Sequence, residues 1–173
     1  LERYPDAPEV AETESTFEGN ALLKARALAN HTQLPAISDD SGLCVNALNG
    51  MPGILSARWA GATEDVDTAN LNLVLKQIAD VPNVRRGAQF VCAAALVLPD
   101  GREFTVRGTV DGHLLHEPVG TNGFGYDPIF VPDGYEVTTA QMSSDEKDAI
   151  SHRGKAMRAL GHVIAEVLGT DSL

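Results

Sequence analysis

The chain has 173 residues, 43% of them apolar, which is enough for one domain with a real core. Thirteen Lys and Arg stand against 24 Asp and Glu, a net charge of −11 that repels a phosphate backbone and argues against polymeric DNA or RNA as partner. The longest apolar run, Val91 to Leu98, is far too short to span a bilayer, so no membrane partner is expected.

Residues 1–14 are rich in Pro and Glu and read as irregular. Ser15-Thr16-Phe17-Glu18 has the form of a capping box, with Ser15 as N-cap and Glu18 three residues on. Phe17, Ala21, Ala25 and Leu28 recur at helical spacing and predict an amphipathic helix over 16–30. Leu34 to Ser38 reads as a short buried strand that ends at a turn, Asp39-Asp40-Ser41-Gly42, before a second strand with Leu43, Val45 and Ala47. Asn49-Gly50-Met51-Pro52-Gly53 is a turn cluster, and Ile54 to Gly61 is a connection carrying Arg58 and Trp59. A second helix is expected over 65–79, then a central strand over 88–98. Pro99-Asp100-Gly101 turns the chain into a partner strand over 102–110, with strand character continuing to His116. Ile129, Phe130 and Val131 read as a short buried strand. Ser144-Asp145-Glu146 opens a helical turn with acids at its positive end. Ser151 caps a longer helix whose apolar face is Met157, Leu160, Val163, Ile164, Val167 and Leu168. The whole predicts one α/β domain with a mixed sheet flanked by helices.

Three stretches can carry chemistry. In Thr121-Asn122-Gly123-Phe124-Gly125-Tyr126-Asp127-Pro128, two glycines flank an aromatic ring. Such a backbone can approach a planar ligand such as a nucleobase, or it can simply be a turn that enters a strand. Asp39 and Asp40 are adjacent carboxylates whose burial needs neutralising. They suit Mg²⁺ or a general base, or a cap and a solvated acid at a turn. Glu18 either closes the capping box or supplies a second metal ligand from its helix end. Lys24 reads as a solvated face residue. Lys147, His152 and Arg153 gather positive charge in an acidic protein, with His152 and Arg153 at a helix N-terminus that favours anions. They bind a ligand there or pair with the nearby Asp145, Glu146 or Asp148. His31, His113, His116 and His162 lack ligand spacing. Cys44 and Cys92 lack zinc or redox spacing and fit free thiols in a reducing cytoplasm.

In order, the matching segments are Thr16 to Ala25, Ala36 to Leu43, and Gly50-Met51-Pro52-Gly53 with Ser56-Ala57-Arg58. They continue with Gly123 to Pro128, then Glu146-Lys147 with Ser151-His152-Arg153-Gly154. This ordered set resembles the inosine triphosphate pyrophosphatase family, hydrolases that clear non-standard purine nucleoside triphosphates. The resemblance implies an elongated α/β domain with a central mixed β-sheet, usually homodimeric. It also implies Mg²⁺-dependent cleavage of ITP, dITP and XTP at the α–β phosphoanhydride, giving the monophosphate and pyrophosphate. On that pattern Asp40 is general base and metal ligand, with Glu18 as a further metal ligand. Ser41 touches substrate, Phe124 stacks on the base, and Gly125, Tyr126 and Asp127 complete that pocket. Lys147 binds substrate, while His152 and Arg153 read the purine edge. The family's Ser/Thr-x-Asn-x-x-Lys loop has no counterpart before Glu12. The expectation is therefore a single domain over 1–173 lacking that N-terminal strand and loop, with non-catalytic nucleotide binding as the alternative function.

Overall fold

Three long strands in succession build the sheet. In the computed structural model, which describes residues 4–169, they are β1 (Ala36–Val45), β2 (Gly87–Val97) and β3 (Glu103–Leu114). A short β4 (Phe130–Pro132) pairs with the end of β3. The order is β1-β2-β3-β4 and every pairing is antiparallel. The α/β class with flanking helices holds, but among the described residues the sheet is antiparallel, not mixed. The expected mixing rested on helices alternating with strands. Yet α2 (Val66–Gln77) joins β1 to its antiparallel neighbour β2 and is no parallel crossover; Leu71, Val74 and Ile78 pack into one cluster with Leu43, Val45, Ala88 and Phe130.

β1 carries the largest correction. Leu34–Ser38 and Leu43–Ala47 are not two strands around a turn. Asp39-Asp40-Ser41-Gly42 lies inside one continuous strand, opposite Ala94, Ala93, Cys92 and Val91 of β2. The unbroken apolar run of β2 is buried from Val91 to Leu98 and supplies a full-length template. Pairing along it outweighs the turn composition of Asp-Asp-Ser-Gly. The β2–β3 hairpin forms as expected, with Leu98 N–H donating to Arg102 O at 2.9 Å across Asp100-Gly101.

Helices cover both faces. On one, α1 (Phe17–Thr32) sets Ala21, Ala25 and Ala29 against Ala36, Ala95 and Val97, and small residues on both sides bring helix and sheet close. The N-cap is Thr16, not Ser15: its Oγ1 accepts the Gly19 N–H at 3.0 Å, so Glu18 takes no part in a capping box. On the other face α4 (His152–Gly169) packs Ala156 and Leu160 on Cys92, Ala94 and Leu96. Leu168 of its expected apolar face stays 40% exposed. Gly108 of β3 admits the first turn of α4, because a Cβ there would stand 2.2 Å from His152 O and 2.5 Å from Ala156 N. Between β4 and α4 runs the short α3 (Ser144–Ile150), opened by a Ser143–Glu146 capping box. Ser151 then caps α4 as expected, its Oγ accepting the Gly154 N–H at 2.9 Å. Arg86 ties the end of α2 to β3 with a buried guanidinium, donating to the carbonyls of Ile78, Leu114 and Leu115.

Candidate active site

A cleft of about 680 Å³ opens where β1, the 124–127 loop and the α3–α4 junction meet. Eight of the sequence-predicted residues besides Asp40 line it: Ser41, Phe124, Gly125, Tyr126, Asp127, Lys147, His152 and Arg153. Asp40 lines it too, from the middle of β1.

Strand alternation sends Asp40 to the α1 face and Asp39 to the α4 face. Their mutual repulsion, the basis of the sequence argument, is thereby relieved without a shared ion. Asp40 is buried, 7% exposed. Its Oδ2 accepts from Asn20 Nδ2 at 3.1 Å and its Oδ1 from the Ser41 N–H at 3.1 Å. Lys24 Nζ lies 3.6 Å from Oδ1 and 2.7 Å from Glu12 Oε1. Burial, then the charge of Glu12, raises the Asp40 carboxyl above its ordinary value, against the pull of Asn20 and Lys24. Lys24 is thus a wall of the cleft rather than a solvated residue.

Asp39 meets a different set of partners. Its Oδ2 accepts from Arg153 Nε at 3.0 Å and from the Ser41 hydroxyl at 3.2 Å. Arg153 therefore pairs across the fold with β1, not with the nearby acids of α3. His152 stacks on Phe90, ring centroids 5.0 Å apart and planes 10° from parallel. Burial, reinforced by Arg153, depresses its imidazole to about 4, so the ring is neutral at pH 7.

The opposite wall is the Gly-rich loop. Phe124 is 68% exposed, its ring facing the Lys147 ammonium at 4.9 Å from the centroid. Two carboxylates hold the backbone beneath it: Asp127 Oδ2 accepts the Phe124 N–H at 2.9 Å, and Asp67 Oδ2 accepts the Gly125 N–H at 2.9 Å. Gly123 has φ +74°, and a Cβ there would strike Asp127 Oδ2 at 2.2 Å. Asp127 also pairs with Lys147 and accepts the Thr139 hydroxyl at 2.8 Å. Tyr126 turns inward, 5% exposed, its hydroxyl donating to Ser56 O at 2.9 Å, and burial pushes the phenol well above its ordinary value. Asp127 and Tyr126 thus shape the loop from behind, while Phe124 presents the open face.

Glu18 is the one predicted site residue that the fold sends elsewhere. It does not line the cleft and pairs with Arg107 on β3 at 3.3 Å. Sequence reasoning missed Glu12, whose Oε1 meets Lys24 and whose Oε2 lies 3.3 Å from Arg58 Nη1. No local signal marks Glu12, since it lies in a Glu-rich stretch with no periodicity. Asn20 and Lys24 carry a usable signal: they stand one helical turn apart and therefore share a face.

Comparison with known proteins identifies the family. A family model described as the Ham1 family matches residues 1–163. The chain belongs to the Ham1 family. Among its curated relatives, the Streptomyces coelicolor protein named dITP/XTP pyrophosphatase is 61% identical over 166 residues, covering 96% of this chain and 82% of that one. The Corynebacterium efficiens protein of the same name is 57% identical over 175 residues, covering 98% and 84%. The Ham1 protein of Staphylococcus aureus superposes with a TM-score of 0.88 at 44% identity, covering 95% of this chain and 84% of that one. A Mycobacterium abscessus structure described as nucleoside-triphosphatase / dITP/XTP pyrophosphatase gives 0.80 at 54% identity, covering 92% and 81%. Among the described residues, no helix of this Ham1 chain is long and apolar enough to cross a membrane.

Proposed function

We propose that this chain hydrolyses non-standard purine nucleoside triphosphates (ITP, dITP and XTP) to the monophosphate and pyrophosphate, and so removes them from the nucleotide pool. The observation that carries the reading is the pairing of two features across one cleft. A buried carboxylate set among cationic and amide donors lines the same cleft as an open aromatic ring, neutral His152 and cationic Arg153. The names of the relatives support the same substrate class.

Asp40 is the general base. Its burial and the Glu12 charge raise its carboxyl above the ordinary value and so strengthen it as a proton acceptor for water. Phe124 stacks on the base. Arg153 and neutral His152 offer donors to the purine O6. An adenine amino group at that edge leaves those donors unpaired, which is how a polar site rejects an analogue. Lys147 approaches from beside Phe124, and Ser41 lies on the strand between the two halves of the site.

Mg²⁺ is part of this reading, and the donor set suits it. Lys24 Nζ reaches both Glu12 and Asp40, so a single cation can serve both carboxylates. Among the described residues no group of three or more His, Cys, Asp or Glu is arranged for a metal. Two carboxylates with water and phosphate oxygens are the usual Mg²⁺ complement. Asp40 and Glu12 would hold the ion, while Glu18 is engaged by Arg107 on β3. When bound, Mg²⁺ neutralises triphosphate charge and polarises the phosphoryl oxygens. The free thiols Cys44 and Cys92 suit a reducing, cytoplasmic setting, and a homodimer completes the reading. Sedimentation equilibrium then gives twice the chain mass of 18.3 kDa.

The test is a substrate panel of dITP, XTP, dATP and dGTP with Mg²⁺ or with EDTA. Metal-dependent pyrophosphate release confined to dITP and XTP is the expected result. Binding of dITP without release points to a nucleotide-binding protein instead, and equal turnover of dATP contradicts the purine-edge selectivity.

A further inference from the structure

Asn20 is fully buried on α1, in line with Ala21 and Ala25, which pack against the sheet as plain apolar contacts. A side-chain amide at such a position is costly unless its polar atoms find partners. Its partners are specific. Oδ1 accepts the backbone N–H of Glu14 at 3.0 Å, and Nδ2 donates to Asp40 Oδ2 at 3.1 Å. The orientation is forced by chemistry: a backbone N–H requires an acceptor and an ionised carboxylate requires a donor.

We propose that Asn20 is the positioning residue of the site. It fixes the plane of the Asp40 carboxylate and, through Glu14, anchors the segment that carries Glu12. The inference deepens the hydrolase reading and rests on it for its catalytic meaning. Asp40 is gripped at both oxygens, by Asn20 on Oδ2 and by the Ser41 N–H on Oδ1. A carboxylate has about four acceptor positions, so positions remain for water or a cation. Lys24, one turn further along α1, grips the Glu12 side chain while Asn20 grips the Glu14 backbone. One helix face thus sets the spacing between the two carboxylates before substrate arrives. Asp at position 20 keeps the acceptor for Glu14 and sets a like charge against Asp40. Ala removes both contacts.

Two readouts on the full chain test this. The first compares wild type with Asn20→Asp and Asn20→Ala in dITP turnover with Mg²⁺, alongside thermal melting. Misplacing a reacting group by about 1 Å costs on the order of 100-fold. We expect kcat to fall about 10- to 100-fold in Asn20→Asp, with KM changed less than about threefold. The second readout needs neither substrate nor metal. In ¹H–¹⁵N spectra, the Asn20 side-chain amide, assigned by its loss in Asn20→Asp, is protected from solvent exchange. It shifts in Asp40→Ala and not in Glu18→Gln. A lower Tm with kcat within about twofold of wild type makes Asn20 a core residue only and overturns the proposal. A freely exchanging amide, or one indifferent to Asp40→Ala, also overturns it. If Asn20→Ala does not fold, Asn20→Asp and the amide signal still decide. If wild type releases no pyrophosphate from dITP, the hydrolase reading fails by itself, and the amide signal judges the clamp.

Discussion

Asp39 and Asp40 share a peptide bond, but strand alternation puts their carboxylates on opposite faces of β1. Asp40 is buried and held by a neutral amide, a backbone N–H and a more distant ammonium. Asp39 is partly open and held by a guanidinium and a hydroxyl. Asp39 is engaged directly by Arg153, whereas burial raises the carboxyl of Asp40. On the proposed function, the same side chain is set for two tasks: a base that acts on water, and a strut for the cation proposed to meet the purine.

The sharpest way to break this comparison is to neutralise each acid in turn. Asp40→Asn should lower kcat about 100- to 10,000-fold, the range for a lost general base. The folded state holds the Asp40 proton more tightly than the unfolded state does, so the Asp40 contribution to stability falls as pH rises through its raised folded pKa. Arg153→Met comes next. Losing a charged donor to the base costs about 1.5–3 kcal/mol, which should appear as a 10- to 100-fold rise in KM for dITP and a smaller rise for dATP. Asp39→Asn should do much less, raising KM for dITP at most about fivefold with kcat unchanged, because a half-open ion pair is worth up to about 1 kcal/mol. An Asp39→Asn effect on kcat equal to that of Asp40→Asn would erase the division of labour.

A further effect is on pH dependence and tests the Asp39 face. His152 is depressed to about 4, below its unfolded value of about 6.5. The folded state therefore binds fewer protons than the unfolded one between those values. Its contribution is present above pH 6.5 and is lost as pH falls towards 4. Denaturant unfolding from pH 4 to 7 should show a shallower acid-side slope in His152→Asn than in wild type.

Much of this molecule is legible in its sequence. The hairpin at Asp100-Gly101, the Ser151 cap and the helix faces follow from local pattern, and they fell into place. So did the gathering of Asp40, Phe124, Lys147, His152 and Arg153, which came from motif order and not from periodicity. What local pattern could not reveal was set by distant pairing. Asp-Asp-Ser-Gly has turn composition, and only the long apolar partner β2 makes it a strand. Thr16 and Ser15 are both good caps, and the geometry of the first turn chose Thr16. Glu12 and Glu18 flank the same helix start, and which one meets the cleft depends on Lys24 and Arg107. Arg153 found its acid on β1 because Gly108 lets α4 lie close against the sheet.

The central claim is that Asp40 activates water for attack on the triphosphate. The most direct measurement is ³¹P NMR of dITP with Mg²⁺ and wild-type protein, beside Asp40→Asn at equal concentration. The account predicts dIMP and pyrophosphate from wild type, with no diphosphate nucleoside intermediate, and a signal from Asp40→Asn slowed at least about 100-fold. Release of inorganic phosphate with dIDP, or an undiminished rate in Asp40→Asn, would contradict it.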